Sequence, residues 1–582
     1  MPFFAPPRRI LLLAVALLSA CGAAGQTPPS SANAAPLQAR EVTSPFGAYL
    51  AGRLAQSETD TAVAADLLLE ALRRDPDQPE LATRAFVAAL LDGRPEALRL
   101  ARRLPENQAA QLLLIGAEAQ AGRWDRTETR IRALPRTGPG GFLQPFLLAW
   151  AQQGRGQTDA ALATLRPLSE SGRLRGIHAL HMALIADLAG RPRDAERAIR
   201  TAIAETPEPS LRFVQLSAGI LARAGREEDA LRLLESVGRG LSDYALFAIT
   251  ETQRRAVLTT RNLSSPVEGM AEAHLALAAA LASQPAPPPR AGQPPAANND
   301  GALILARLAL RLRPGFAPTL LLMAEQYAEE RHYQTAYALL EQVPADDPLA
   351  PVAALRRALL LDRMDRTAEA EAALERLAAE QPQAPQPPAR LGDIRRTKSR
   401  FPAAVTAYDQ ALARLGTSTP TAWPLLYARG ISHERAGNWP LAEADFQRAL
   451  ALSPEQPYVL NYLAYTWVER GENLVEARRM LERAVELRPN DGNIVDSLGW
   501  ALFKLGDIPG AIRWLERAVE LESRNSVIND HLGDVYWAAG RQLEARFQWR
   551  RALTLEPEPE ELPKIQAKLR DGLPAPTARR AD

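Results

Sequence analysis

The strongest constraint on the fold is a 34-residue repeat near the end of the chain. Gly499 and Gly533 are 34 residues apart, and the same spacing separates Ala484 from Ala518 and Ala518 from Ala552. A unit of this length cannot bury its own apolar face, so neighbouring copies must stack into an array that grows by addition. This explains how a chain of 582 residues can fold without one large core.

The residue types within each copy resemble the tetratricopeptide repeat (TPR), in which Leu-Gly is followed by Ala, a large residue four positions later, and Pro. In the last copy these are Leu532, Gly533, Ala545, Trp549 and Pro557. Gly and Ala let two helices approach closely, and Pro cannot donate in a continued helix. The resemblance implies an all-α fold: a TPR solenoid, which is a right-handed superhelix of antiparallel helix pairs, with about thirteen repeats.

The charge of the chain is balanced, with 69 basic residues, 68 acidic residues and a net charge of +1. Such a balance supplies no bulk attraction to nucleic acid, and we expect no nucleic-acid partner. The sequence contains no Gly-rich phosphate loop, no Gly-x-Ser-x-Gly motif and a single cysteine. We therefore predict that the protein is not an enzyme and needs no cofactor.

Residues 1–21 have the character of a targeting segment. Arg8 and Arg9 precede an apolar run from Ile10 to Leu18 that is too short to span a bilayer. The stretch ends in Leu-Ser-Ala-Cys and resembles the lipobox of bacterial lipoproteins, which implies lipidation of Cys21. Because Gly22 follows the cysteine, the resemblance implies an outer-membrane anchor with the protein facing the periplasm. The alternative is an ordinary cleavable signal in which Cys21 is incidental.

The rest of the chain divides by composition and repeat regularity. The predicted parts are a flexible tether (22–44), an N-terminal array of degenerate repeats (45–283), a Pro-rich insert (284–300), a C-terminal array of regular repeats (301–560), and a capping helix with a disordered tail (561–582). The insert has six prolines between Pro285 and Pro295, and no helix continues through it. It is either a long loop inside one repeat or a hinge between two arrays.

The expected binding surface lies on the first helix of each regular repeat. Residues three before, one after and four after the small residue share one stripe, opposite the face that packs on the second helix. The predicted partner-binding residues on this stripe are Tyr427, Asn461, Tyr465, Asp496, Trp500, Phe503, Asp530, Asp534 and Trp537. Aromatic side chains beside carboxylates and an amide are typical of a protein-binding groove. The alternative is that Trp500 and Phe503 only pack between repeats.

Two histidines at helical spacing, His178 and His181, could in principle bind a metal, but no third ligand is near them in the sequence. We expect them to be packing or surface residues, as we do His531, and we predict no metal site.

The signal segment and the array together resemble outer-membrane TPR lipoproteins of proteobacteria. Some members of that group are adaptors that hold a periplasmic carboxyl-terminal-processing protease and bring it substrates. The resemblance implies a lipid-anchored scaffold that binds other proteins, including a protease. The alternative is an assembly scaffold for envelope polysaccharide export or cell-wall synthesis.

Overall fold

The computed structural model describes residues 44–171, 174–207, 209–238, 251–284 and 300–573. The signal segment with Cys21, the tether up to residue 43, the insert from residue 285 to 299 and the tail after residue 573 lie outside the described residues. All regular structure in the described ranges is helical, as the repeat pattern predicts. None of the helices searched in these ranges has the length and apolar character needed to cross a bilayer.

Two compact units make up the described chain, one spanning residues 44–391 and the other 392–573. The helices of the first unit are α1 (Pro45–Ser57), α2 (Thr61–Arg74), α3 (Pro79–Leu91), α4 (Glu96–Ala101), α5 (Gln108–Gln120), α6 (Trp124–Arg132), α7 (Gly138–Gly154), α8 (Thr158–Ser171), α9 (Arg175–Leu188), α10 (Pro192–Ala204), α11 (Leu211–Arg223), α12 (Glu227–Gly238), α13 (Glu251–Thr259), α14 (Pro266–Ala282), α15 (Asp300–Leu312), α16 (Ala317–Glu329), α17 (Tyr333–Glu341), α18 (Ala350–Arg363) and α19 (Thr367–Glu380).

The boundary between the units falls inside the next helix, α20. The remaining helices are α20 (Gln386–Thr397), α21 (Phe401–Leu415), α22 (Trp423–Arg435), α23 (Trp439–Leu452), α24 (Pro457–Arg470), α25 (Leu474–Leu487), α26 (Gly492–Lys504), α27 (Ile508–Leu521), α28 (Ser526–Ala538), α29 (Gln542–Thr554) and α30 (Leu562–Asp571). Helices pack as antiparallel pairs in the regular repeats, in the pairs α16–α17, α18–α19, α22–α23, α24–α25, α26–α27 and α28–α29. The architecture is a TPR solenoid and agrees with about thirteen repeats.

Small residues permit the close approach within each pair, as the sequence predicts. A Cβ atom on Gly499 of α26 would lie 2.7 Å from Cγ of Leu515 on α27. A Cβ atom on Gly533 of α28 would lie 2.5 Å from the indole of Trp549 on α29. Leu515 and Trp549 are fully buried, so each fills the space that the glycine leaves free.

The turn between the two helices of a repeat also depends on glycine. Gly506 follows α26 with a φ of +87°, and Gly540 follows α28 with a φ of +79°. L-residues with a side chain rarely adopt this left-handed backbone, so glycine at these positions closes the helix at low cost.

In the first unit, the pair α14–α15 packs against first helices of the preceding repeats. α14 contacts α5, α7 and α9, and α15 contacts α3 and α5. The backbone of Gly269 on α14 lies directly against the indole of Trp150 on α7, which is fully buried. Gln120 of α5 donates a hydrogen bond of 2.8 Å to the carbonyl oxygen of Arg311 on α15. The chain's own helices therefore cover this face of the N-terminal repeats.

A buried ion pair also joins the α14–α15 pair to α11. Glu272 of α14 is only 4% exposed and pairs with the guanidinium of Arg212 on α11. Arg313, just after α15, lies 3.8 Å from the same carboxylate and 4.7 Å from the ring centroid of Phe316. α14 and α15 also pack along each other, so the helices on either side of the Pro-rich insert belong to one unit.

Candidate functional site

The candidate site is the predicted stripe on the first helices α22, α24, α26 and α28 of the second unit; we call it the first-helix stripe. Its members are Tyr427, Asn461, Tyr465, Asp496, Trp500, Phe503, Asp530, Asp534 and Trp537. All of them lie within well-formed helices, at the spacing that places them on one side. The structure shows that each is buried or partly buried and that several contact side chains from neighbouring first helices.

The centre of the first-helix stripe is an aromatic and ionic cluster around His531. The imidazole of His531 on α28 stacks on the indole of Trp500 on α26, with ring centroids 4.0 Å apart. Its Nδ1 lies 3.0 Å from Oδ2 of Asp496 on α26. Burial alone would lower the pKa of His531, but Asp496, with help from Asp530 and Asp534, raises it above the ordinary histidine value. The cluster therefore stabilises the charged imidazolium form of His531, which pairs with the carboxylate of Asp496.

Trp500 links three consecutive first helices. Its indole N–H donates to the carboxylate of Glu469 on α24, while its ring stacks on His531 of α28. The ammonium of Lys504 lies 4.8 Å from the ring centroid, within the range of a cation–π contact. Trp500 is 8% exposed, so most of its surface packs between repeats. Phe503, one turn further on, contacts Trp500 at 5.2 Å between ring centroids and stays partly exposed.

The last part of the first-helix stripe faces α30. Lys568 Nζ lies 2.7 Å from Oδ2 of Asp530 and 2.7 Å from Oδ2 of Asp534. Burial, and then the neighbouring charge of Asp530, raises the pKa of Asp534. Burial opposes the charge of Lys568, but the two carboxylates raise the pKa of its ammonium. Trp537 donates from Nε1 to the carbonyl oxygen of Leu573 at 3.2 Å.

Side chains in the first part of the first-helix stripe have fewer hydrogen-bond partners within the described chain. Tyr427 of α22 packs against Phe446 and Tyr462, at 6.0 and 5.9 Å between ring centroids, and burial raises its pKa. Asn461 of α24 has a buried carbonyl oxygen with no hydrogen-bond partner in the described chain. Tyr465, one turn away, is partly exposed, and its hydroxyl makes no hydrogen bond within the described residues. Polar atoms without internal partners are the ones that a bound segment can satisfy.

Sequence reasoning missed three residues that complete this surface: Glu469, Lys504 and Lys568. Each lies on a first helix or on the capping helix, and each pairs with a residue of the first-helix stripe. The available signal was the rarity of lysine, since Lys504 and Lys568 are two of only four lysines in the chain.

The histidine pair at helical spacing serves packing. His178 stacks on Phe146, with ring centroids 4.4 Å apart, and His181 Nδ1 accepts a hydrogen bond of 3.0 Å from the indole of Trp150. Burial lowers the pKa of His181 to about 3, so the ring is neutral at physiological pH. Within the ranges that the structure describes, no group of three or more His, Cys, Asp or Glu residues is placed to hold a metal ion.

Comparison with known families identifies the repeats. Tetratricopeptide repeat models match residues 352–384, 390–457 and 468–526. The matched residues are tetratricopeptide repeats, and the fold of the described chain is a TPR solenoid, an architecture suited to binding other proteins. A similar curated protein is the TPR repeat-containing protein PA4667 of Pseudomonas aeruginosa, which is 34% identical over 89 residues. That alignment spans only 15% of either chain.

Several solved structures are similar to this chain at low sequence identity. The Cut9–Hcn1 hetero-tetramer of the APC/C has 15% identity and a TM-score of 0.37, with 91% of this chain and 97% of that chain covered. A TPR protein from Parabacteroides merdae has 16% identity and a TM-score of 0.35, with 42% and 95% covered. YrrB, described as a TPR protein with an unusual peptide-binding site, has 20% identity and a TM-score of 0.27, with 33% and 97% covered.

Proposed function

We propose that this protein is a lipid-anchored periplasmic scaffold that binds partner proteins along the first-helix stripe of its second unit. The observation that carries the proposal is the convergence of aromatic rings, carboxylates and an amide from four consecutive first helices. The side-chain oxygen of Asn461 and the hydroxyl of Tyr465 add polar atoms that have no hydrogen-bond partner in the part of the chain that the structure describes. A surface of this composition suits a peptide segment, because aromatic anchors supply apolar area while the polar groups fix register.

The first unit is a weaker candidate for the same role. Its α14–α15 pair already occupies a face of the first helices α3, α5, α7 and α9. Trp150, which would otherwise be an aromatic anchor, is fully buried against Gly269. A partner would have to displace two helices and break the buried pair of Glu272 with Arg212 to reach this face. The proposal therefore assigns partner recognition to the second unit.

The anchoring part of the proposal rests on the sequence around Cys21. Cys21→Ser should release the protein into the soluble fraction or block its processing, because the acyl chains of a lipoprotein cysteine hold the protein on the membrane. A matched control is Ser19→Ala, which leaves the cysteine in place. If the Cys21→Ser variant fractionates with membranes as the unchanged protein does, the lipid-anchor proposal is wrong.

The finer proposal is that the scaffold recruits a processing protease and its substrates. Crosslinking in cells followed by mass spectrometry of the attached proteins tests it. A carboxyl-terminal-processing protease among the specific crosslinks supports the adaptor role. Components of polysaccharide export or cell-wall synthesis would instead support the alternative of an envelope-assembly scaffold. Both outcomes leave the coarser role in protein binding unchanged.

A further inference from the structure

The last carboxylates of the first-helix stripe, Asp530 and Asp534, lie one turn apart on α28 and are 7% and 6% exposed. A single cation, Lys568 of α30, reaches both of them. The indole N–H of Trp549 bonds the remaining oxygen of Asp534 at 2.9 Å. The remaining oxygen of Asp530, Oδ1, is buried and has no hydrogen-bond partner among the residues that the structure describes. Of the four carboxylate oxygens of Asp530 and Asp534, three therefore accept a hydrogen bond from a described residue and one does not.

We propose that Asp530 and Asp534 form a pocket for an arginine side chain of a partner protein, and that Lys568 occupies this pocket until the partner binds. The proposal deepens the proposed function, because it names the chemistry of one contact that the partner makes. Three buried carboxylates, Asp496, Asp530 and Asp534, face two cations, Lys568 and the imidazolium of His531, so the cluster retains an excess of negative charge. That excess attracts a cationic segment and repels an acidic one.

A guanidinium fits the pocket better than the ammonium that now fills it. Lys568 bonds one oxygen of each carboxylate and leaves Oδ1 of Asp530 without a donor. The planar fork of an arginine carries five N–H donors and can bond both oxygens of one carboxylate at the same time. The pocket should therefore discriminate in favour of arginine over lysine.

The segment that carries Lys568 is suited to being displaced. Ile565 is the one buried side chain of α30. Beyond Lys568, the hydrogen bonds that reach α30 and the residues just after it from earlier helices go to backbone oxygens: Arg546 donates to Leu569, and Trp537 donates to Leu573. A partner segment with an apolar side chain and an arginine one turn later can replace Ile565 and Lys568 together.

The test uses the full chain and three labelled peptides of residues 562–573: the natural sequence, one with Lys568→Arg and one with Lys568→Gln. Binding is followed by fluorescence anisotropy, and displacement of the chain's own α30 is followed by amide hydrogen exchange. We expect the arginine peptide to bind about tenfold more tightly than the lysine peptide, because it adds a charge-assisted bond. The glutamine peptide should bind weakest, and α30 should exchange faster as the arginine peptide binds.

The matched control is the full chain with Asp530→Asn, which keeps the shape of the pocket and removes one charge. It should bind the arginine and lysine peptides alike. Equal binding of all three peptides to the unchanged chain, or an arginine preference that survives Asp530→Asn, would overturn the proposal. So would tighter peptide binding after Arg579→Gln with Arg580→Gln, because the tail of the chain would then be the occupant. Crosslinking of a partner from position 465 does not depend on this pocket. If the peptide experiment fails while that crosslink persists, the pocket proposal is wrong and the scaffold role still stands.

Discussion

His531 of α28 stacks on Trp500 of α26 with ring planes 15° apart, and the two residues belong to successive repeats. The same imidazole pairs with Asp496, so one side chain joins the apolar and ionic parts of the first-helix stripe. Trp500 in turn donates to Glu469 of α24. The centre of the stripe therefore stabilises the array, in addition to the partner binding that we propose for it.

The packing of Trp500 between repeats predicts that its truncation destabilises the second unit. Trp500→Ala should lower the free energy of unfolding by about 3 kcal/mol, because it removes a largely buried aromatic ring together with its stacking on His531 and its hydrogen bond to Glu469. Tyr465→Ala is the matched stripe variant, and since its hydroxyl has no internal partner, it should cost distinctly less. Circular dichroism melts of both variants check this. Equal losses would show that Tyr465 is also an inter-repeat core residue.

The pair of His531 with Asp496 predicts a loss of stability as the pH rises. The pKa of His531 is higher in the folded chain than the ordinary value of about 6.5. The stability that its charge supplies is thus fully present below about pH 6.5 and is lost as the pH rises through the folded-state pKa. Melting temperatures between pH 6 and pH 9 should fall more steeply for the unchanged protein than for His531→Gln. Parallel curves would contradict the raised pKa.

Buried histidines of the first unit predict the opposite dependence. His274 of α14 is 1% exposed, and burial lowers its pKa to about 4. Stability from its neutral form is present above about pH 6.5 and is lost as the pH falls toward 4. At about 1.4 kcal/mol for each pKa unit, the loss is on the order of 3 kcal/mol. Hydrogen exchange at pH 7 and pH 4.5 should show α14 losing protection in acid, and His274→Gln should reduce that difference.

The close approach of helices within a repeat predicts a steep cost for enlarging Gly499. Gly499→Leu should destabilise the second unit by about 1–3 kcal/mol, because its Cβ alone would already crowd Leu515. The control is Gly301→Ala on α15, where a Cβ atom would meet only Leu281 at an ordinary distance of 3.6 Å. Since alanine favours a helix over glycine, this variant should be neutral or stabilising. Similar melting shifts for both variants would contradict the packing assigned to Gly499.

The repeat pattern predicted most of the fold because its signal is local and periodic. Glycine or alanine where the helices of a pair cross, a large residue four positions after the second-helix alanine, and a helix-ending proline recur along the sequence, and the paired helices follow them. The docking of α14–α15 on earlier repeats was not predictable in this way. The contact between Gly269 and Trp150 joins residues more than one hundred positions apart, far beyond the 34-residue spacing of the repeats.

The position of the site was predictable from the sequence, but the burial of its side chains was not. Helical spacing placed Asp496, Trp500 and Asp530 on one side of their helices. How far each is buried depends on the side chain that the next first helix presents. His531 covers Trp500, and Lys568 covers Asp530, and no spacing rule specifies these partners. The sequence therefore indicated a solvated groove where the structure has a partly closed one.

The most direct test of the scaffold role is site-specific photo-crosslinking in cells from Tyr465, with Leu543 as the control. Leu543 is 86% exposed on the second helix α29, away from the first-helix stripe. A photoreactive phenylalanine analogue at each position reports which proteins lie within reach of that side chain. We predict that a discrete partner protein is crosslinked from position 465 and that no partner is crosslinked from position 543. Crosslinks to that partner only from position 543, or none from position 465, would contradict binding along the first-helix stripe.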